Sequence, residues 1–133
     1  MAGTMTLTQF INTYNGKKVD WDGANGPQCV DLYRQYLHDV KGYKQTPPIE
    51  GAKDIFDNPG TELHVTKDSL LADYSSGDIL IWDKTKTNKY GHVAILVAVY
   101  NTKYFIVFEQ DGFKKDGAKL AFRSRENLRG CLW

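Results

Sequence analysis

Apolar positions Leu7, Phe10, Ile11 and Tyr14 recur at helical spacing and stop at Asn15-Gly16, so the chain opens with a helix that Thr6 can cap. A second helical period begins at Gln28. Val30, Tyr33, Leu37 and Val40 share one face, Leu32 and Tyr36 flank it, and Lys41-Gly42 ends it. Pro27, which donates no backbone hydrogen bond, suits the start of that helix. Gln45 to Glu50, with Pro47-Pro48, is a loop, and Gly51 to Phe56 reads as a short helix broken at Asn58-Pro59-Gly60. Beyond that point the pattern changes to strands. Leu63 to Thr66 is a weak one, and Asp78 to Trp82, an apolar run after Ser76-Gly77, reads as a buried one. Gly91-His92 opens a long strand to Tyr100, Asn101 to Lys103 turns it, and Tyr104 to Glu109 returns. Lys119 to Phe122 and Gly130 to Trp133 are shorter candidates. Helices followed by antiparallel strands predict an α+β domain, with N-terminal helices packed on a C-terminal antiparallel sheet.

Composition narrows the classes. A chain of 133 residues, 41% hydrophobic and 25% charged, is one globular domain spanning 1–133, with no repeat or linker. A net charge of +1 carries no nucleic-acid signature. The longest apolar stretch, Val93 to Tyr100, suits a strand and not a membrane span. Met1 to Phe10 lacks the basic and apolar segments of a signal peptide. Met1 to Thr4 precedes a second methionine, Met5, and is a candidate cloning remnant. Eight Tyr, six Phe and three Trp are abundant; some line the core, and Trp21, Trp82 and Tyr90 either pack inside or flank a groove for an extended polar substrate.

One stretch concentrates the candidate chemistry: Asp20-Trp21-Asp22-Gly23-Ala24-Asn25-Gly26-Pro27-Gln28-Cys29-Val30-Asp31. Counting Asp20 as position one places Asp22 at three and Asp31 at twelve, the carboxylate positions of a helix-loop-helix calcium site, while Ala24 and Gly26 at five and seven offer backbone carbonyls. Asn25 stands where such loops carry glycine, and Asp31 where they carry a bidentate Glu. A solvated acidic turn is the plainer alternative.

Cys29 falls in the first turn of the second helix, where the helix dipole favours a thiolate. A small buried cysteine is the alternative, as expected for Cys131. Two cysteines at opposite ends of a chain make no disulfide framework. A nucleophile needs a base and an orienting group. Of the three histidines, His38 and His64 carry no assigned chemistry, whereas His92 begins a strand. A hairpin turning at 101–103 sets His92 opposite residues near Asp111, with Glu109 one pleat away, so a carboxylate lies roughly 5–8 Å from the imidazole if the register holds.

Gly16 to Gly23, Gln28-Cys29-Val30-Asp31-Leu32, Gly51 to Asp54, Gly77 to Trp82, Tyr90-Gly91-His92-Val93 and Phe108-Glu109-Gln110-Asp111 together resemble the CHAP domains of bacteriophage endolysins, the cysteine- and histidine-dependent amidohydrolase/peptidase family. The resemblance implies a papain-like fold and cleavage of peptidoglycan amide bonds. It implies Cys29 as nucleophile, His92 as general base, Glu109 as the orienting group and Gln28 in the oxyanion hole. It also implies a structural calcium held by Asp20, Asp22 and Asp31 through side chains and by Ala24 and Gly26 through carbonyls. Family members often carry Asn where this chain has Asp111, so Asp111 is a second candidate for orienting His92. The expected partner is bacterial peptidoglycan, with no nucleic acid and no membrane, a monomer, and a separate or fused wall-binding domain. The enzyme would be made in the host cytoplasm and act on the wall. The resemblance leaves open a stem-peptide or cross-bridge endopeptidase and an N-acetylmuramoyl-L-alanine amidase. Two other classes stay open: a calcium-dependent wall-binding module without turnover, and a cysteine peptidase or amidase toxin with a non-wall substrate.

Overall fold

The structure, a computed structural model, describes residues 2–23, 26–69, 71–112 and 116–133. Helix α1 spans Leu7–Tyr14, and α2 spans Cys29–Tyr36. Thr6 and Gln9 close α1 reciprocally: the Thr6 hydroxyl accepts the Gln9 N–H at 3.1 Å and Gln9 Oε1 accepts the Thr6 N–H at 2.9 Å. The second helical period continues past Tyr36 as a wider π-helical turn, Leu37–Lys41, stopped by Gly42 in the left-handed conformation. This turn brings Asp39 inward, where it accepts from Tyr14 Oη at 2.5 Å and from Gln35 Nε2 at 3.0 Å. Residues ahead of α1 pack on the same turn, with the Gly3 N–H bonded to His38 O and the Met5 N–H to Asp39 O. A 3-10 turn, Ala52–Ile55, takes the place of the short third helix.

Six strands follow: β1 Val65–Lys67, β2 Ile79–Trp82, β3 His92–Val99, β4 Tyr104–Glu109, β5 Lys119–Ser124 and β6 Leu128–Leu132. They form one antiparallel sheet in the order β1-β6-β2-β3-β4-β5, and the fold is α+β as the pattern predicts. Alternation divides the sheet's two faces. Ile79, Ile81, Val93, Ile95, Phe108 and Leu132 meet Phe10, Leu32, Tyr33, Tyr36 and Leu37 of the helical layer. Leu80, Trp82, Ala94, Leu96, Phe105, Val107 and Cys131 build a second cluster on the opposite face, with Tyr74 packed against it. The β3–β4 ladder pairs Val99 with Phe105 and Ala98 with Ile106, then shifts so that Leu96 pairs with Val107 and Ile95 with Phe108. Val97 is the extra residue, a β-bulge.

Candidate active site

The start of α2 is fixed by its own third residue. The Asp31 carboxylate accepts the Gln28 N–H at 2.8 Å while Gln28 O accepts the Asp31 N–H at 3.1 Å. Cys29 follows as the first helical residue, a free thiol only partly buried. Cys131 is also free but fully buried, and burial together with nearby Asp78 pushes its thiol up to about 12.

His92 enters the site directly after Gly91, which holds φ at 75°. A side chain there would put its Cβ 2.4 Å from Trp82 O and 2.8 Å from Lys53 Cβ, so only glycine lets β3 start in this place. The imidazole is buried, with the Trp82 ring 5.8 Å away. Its Nε2 lies 3.0 Å from Glu109 Oε1, and it hydrogen-bonds Cys29. With Nε2 committed to Glu109, Nδ1 is left for the thiol. Burial pulls the His92 pKa down, but the hydrogen bonds to Cys29 and Glu109 outweigh it and raise the pKa to about 9. Burial pushes Glu109 the other way, and there too the polar partners win: His92 and Arg123 hold its carboxyl down at about 2.

Arg123, on β5, had no place among the sequence candidates. Its Nε donates to Glu109 Oε1 at 2.5 Å and its Nη2 to Glu109 Oε2 at 2.9 Å. Asp111 Oδ2 lies 3.7 Å from the same Nη2. The imidazole is thus bonded to Glu109, while Asp111 is ion-paired with Arg123. The one sequence signal for Arg123 is a cation in an alternating strand, which reads equally well as a solvated face.

The thiol sits between two depressions. A cleft of about 800 Å³ runs from Trp21 and Asp22 past Gln28 and Cys29 to Glu50, Gly51 and Tyr90. A narrower pocket of about 140 Å³ lies on the imidazole side, between Asn88, Tyr90, Asp111 and Gly112. Gln28 borders both, and its side chain lies close against Gly112. Trp21 and Tyr90 therefore line the groove, whereas Trp82 is a buried neighbour of His92.

The three acidic candidates converge. Asp20, Asp22 and Asp31 each present an oxygen within 4.8 Å of the others. Asp31 is buried, and burial together with the charges of Asp22 and Asp20 raises its pKa to about 6. Asp20 Oδ1 accepts the Gly23 N–H at 3.1 Å, and Gly26 turns the chain with φ at 73°. Ala24 lies outside the described residues. Three crowded hard-oxygen donors fit a divalent cation such as calcium. The two roots of this loop are joined by Gln110, a second residue the sequence did not single out. Its Oε1 accepts the Val19 N–H at 2.8 Å, and its Nε2 donates to Val19 O at 2.6 Å and Gln28 O at 2.9 Å.

The CHAP domain family model matches residues 18–111, which contain the thiol, the imidazole, both candidate carboxylates and the acidic loop. The chain belongs to the CHAP domain family. Endolysin PlyTW of Staphylococcus phage Twort is 29% identical to this CHAP domain over 106 residues, covering 77% of the chain and 22% of PlyTW. The crystal structure of the wild type endolysin LysIME-EF1 superimposes with a TM-score of 0.78 at 22% identity, covering 93% of this chain and 60% of that one. Ly7917, in its structure with the hydrolyzing product of MDP, gives 0.69 at 19% identity over 92% of this chain and 59% of its own. This CHAP domain thus spans under two thirds of the length of each of these relatives. The structural neighbours share its fold.

Proposed function

We propose that this CHAP domain hydrolyses an amide bond of bacterial peptidoglycan through a cysteine thioester, as the catalytic part of a phage lysin. The observation that carries the reading is the line Cys29–His92–Glu109 at the junction of two depressions, in a chain whose relatives are endolysins.

The geometry suits acyl transfer. His92 takes the Cys29 proton, or already holds it in a thiolate–imidazolium pair, and Sγ attacks the scissile carbonyl carbon in the cleft. The developing oxyanion is met by backbone N–H groups at the start of α2 and by the Gln28 amide. As the C–N bond breaks, the imidazolium returns its proton to the departing amine, leaving Cys29 acylated. His92 then deprotonates a water, which attacks the thioester, releases a carboxylate product and restores the thiol. Glu109 holds the imidazole ring through Nε2 and stabilises its charged form at each stage.

Asp20, Asp22 and Asp31, with the Ala24 and Gly26 carbonyls, would hold a calcium ion. The ion supplies charge neutralisation that braces the loop. Because Asp31 also accepts the Gln28 N–H, the bracing extends to the start of α2.

The test is mass spectrometry of fragments released from purified Gram-positive peptidoglycan by the wild type with calcium, the wild type with chelator, and Cys29→Ala with calcium. New peptide termini from the calcium-supplemented wild type alone are expected, and their identity names the bond. Equal release by Cys29→Ala, or wall binding with no release from any sample, overturns the reading.

A further inference from the structure

The orienting carboxylate of this site is itself held, and by a residue outside the stretch that matches the CHAP family. We propose that Arg123 is a positioning residue for the reaction: its guanidinium fork fixes the rotamer of Glu109, faces a second carboxylate, that of Asp111, and so sets how strongly Glu109 grips His92.

Glu109 is all but excluded from water, at 2% exposure, and lies on the face of β4 that carries the apolar Phe105 and Val107. A lone carboxylate there would protonate or swing away to solvent. Arg123 prevents both with two parallel N–H bonds, Nε to Oε1 and Nη2 to Oε2, the planar match that lysine cannot reproduce. Glu109 Oε1 is shared, accepting from Arg123 Nε and facing His92 Nε2 at 3.0 Å. The guanidinium and the imidazolium therefore compete for one oxygen, and the arginine tempers the pull that Glu109 exerts on the base. Asp111 adds the reason a cation is needed. It is two residues along, 3.7 Å from Arg123 Nη2, and borders the same pocket as His92. Without Arg123, the two carboxylates would lose the cation that both of them face.

The sheet explains how an arginine so distant in sequence arrives here. Arg123 pairs with Phe105 and Lys119 with Glu109, so Arg123 and Glu109 share a face but lie two pleats apart along the strand. The residue between them on that face of β5 is Ala121, whose methyl leaves room for the long side chain to lie along the strand. Among the described residues, Cys29 from α2 and Arg123 from β5 act on the His92–Glu109 pair, Lys119 of β5 lies opposite Glu109, and Asp111 after β4 acts on Arg123 and Lys119.

The test has a structural arm and a kinetic arm. His92 is titrated by NMR in wild type, Arg123→Gln, Arg123→Lys and Arg123→Gln/Asp111→Asn, with thermal melts confirming that each is folded. Removing the guanidinium is expected to raise the His92 midpoint by about one pH unit. Lysine should leave it near the wild-type value, and Asp111→Asn should bring the Arg123→Gln midpoint back down. The kinetic arm rests on the hydrolase reading above. There, Arg123→Gln should lower kcat roughly tenfold or more with KM little changed and move the alkaline limb of the rate profile upward. Arg123→Lys should recover the pH limbs and only part of kcat. An unchanged His92 midpoint in folded Arg123→Gln overturns the proposal whether or not the protein proves to be a hydrolase. A loss of rate with no movement of either pH limb overturns it too, because that is the mark of a merely structural arginine. If Arg123→Gln does not fold, Arg123→Lys decides: wild-type kcat there removes any need for the fork.

Discussion

His92 and Glu109 meet because the pairing of β3 with β4 skips Val97. The hairpin turn sets Val99 against Phe105, and an unbroken ladder from there would place Glu109 opposite Ile95, on the face turned away from the His92 side chain. The extra residue at Val97 moves the register by one, so that Ile95 pairs with Phe108 and the next step aligns Glu109 with Ala94. The acid and the base then share a face as diagonal neighbours.

That register assigns the two acidic candidates different work. Glu109→Gln keeps the shape but removes the charge that stabilises the imidazolium, and should lower kcat/KM by roughly 100-fold or more. Asp111→Asn keeps a polar group beside Arg123 and should stay within about tenfold of wild type. Rates for the two variants on peptidoglycan decide it, and a larger loss in Asp111→Asn would reverse the assignment.

The same pair makes stability depend on pH in a defined window. Glu109 is held at about 2 against an ordinary 4.5, so its contribution is complete above about 4.5 and lost as the pH falls towards 2. His92 is raised to about 9 from 6.5, so its contribution is complete below about 6.5 and lost as the pH rises through 9. Denaturation free energy should therefore be greatest near pH 4.5–6.5 as far as this site is concerned. The Glu109 shift corresponds to a loss on the order of 3 kcal/mol on the acid side. The two shifts describe one shared contact and are not summed. Urea titrations from pH 2 to 10 should show both limbs, and Glu109→Gln should flatten the acid one.

Much of this was legible in the sequence, and the misses have causes. Thr6, the apolar spacing of both helices and the buried run at Ile79 to Trp82 act locally, so periodicity and cap chemistry reveal them. Cys29, His92 and the three aspartates were legible because the family motif keeps them in order. Arg123, Gln110 and the Val97 bulge were not, since each matters only through a partner on another element. The π-helical turn was missed because its residues satisfy an α-helical period equally well.

The two thiols should differ sharply towards an alkylating reagent. Cys29 opens onto the cleft, while Cys131 is buried and held up at about 12. A brief pulse of iodoacetamide on the native protein, read by peptide mass spectrometry, should label Cys29 and spare Cys131 until the protein unfolds. Native labelling of Cys131 would contradict its burial.

Calcium should stabilise the domain by mass action, by about 2.7 kcal/mol at a concentration 100-fold above its dissociation constant. Thermal melts with calcium should lie several degrees above those in chelator. Asp22→Asn should shrink that gap and Asp20→Ala should close it, with a parallel fall in activity. Identical melts with and without calcium in the wild type would remove the cation from the site.

Gly91→Ala should be costly out of proportion to one methyl group. Its Cβ would strike Trp82 O, so either the start of β3 or the neighbouring strand must move. Loss of more than about 3 kcal/mol is expected, and any folded fraction should show a lowered kcat because His92 moves with the backbone. Wild-type melting and rate in this variant would refute the account.

Gln110 gives the molecule one more property. By gripping Val19 and Gln28 together, a single amide clasps a hoop of chain at its base, just ahead of the thiol. Its ends are registered by the residue that follows β4. The residue before the nucleophile and the residue after the orienting acid are thus tied to each other, so a shift at the end of β4 would carry the start of α2 with it.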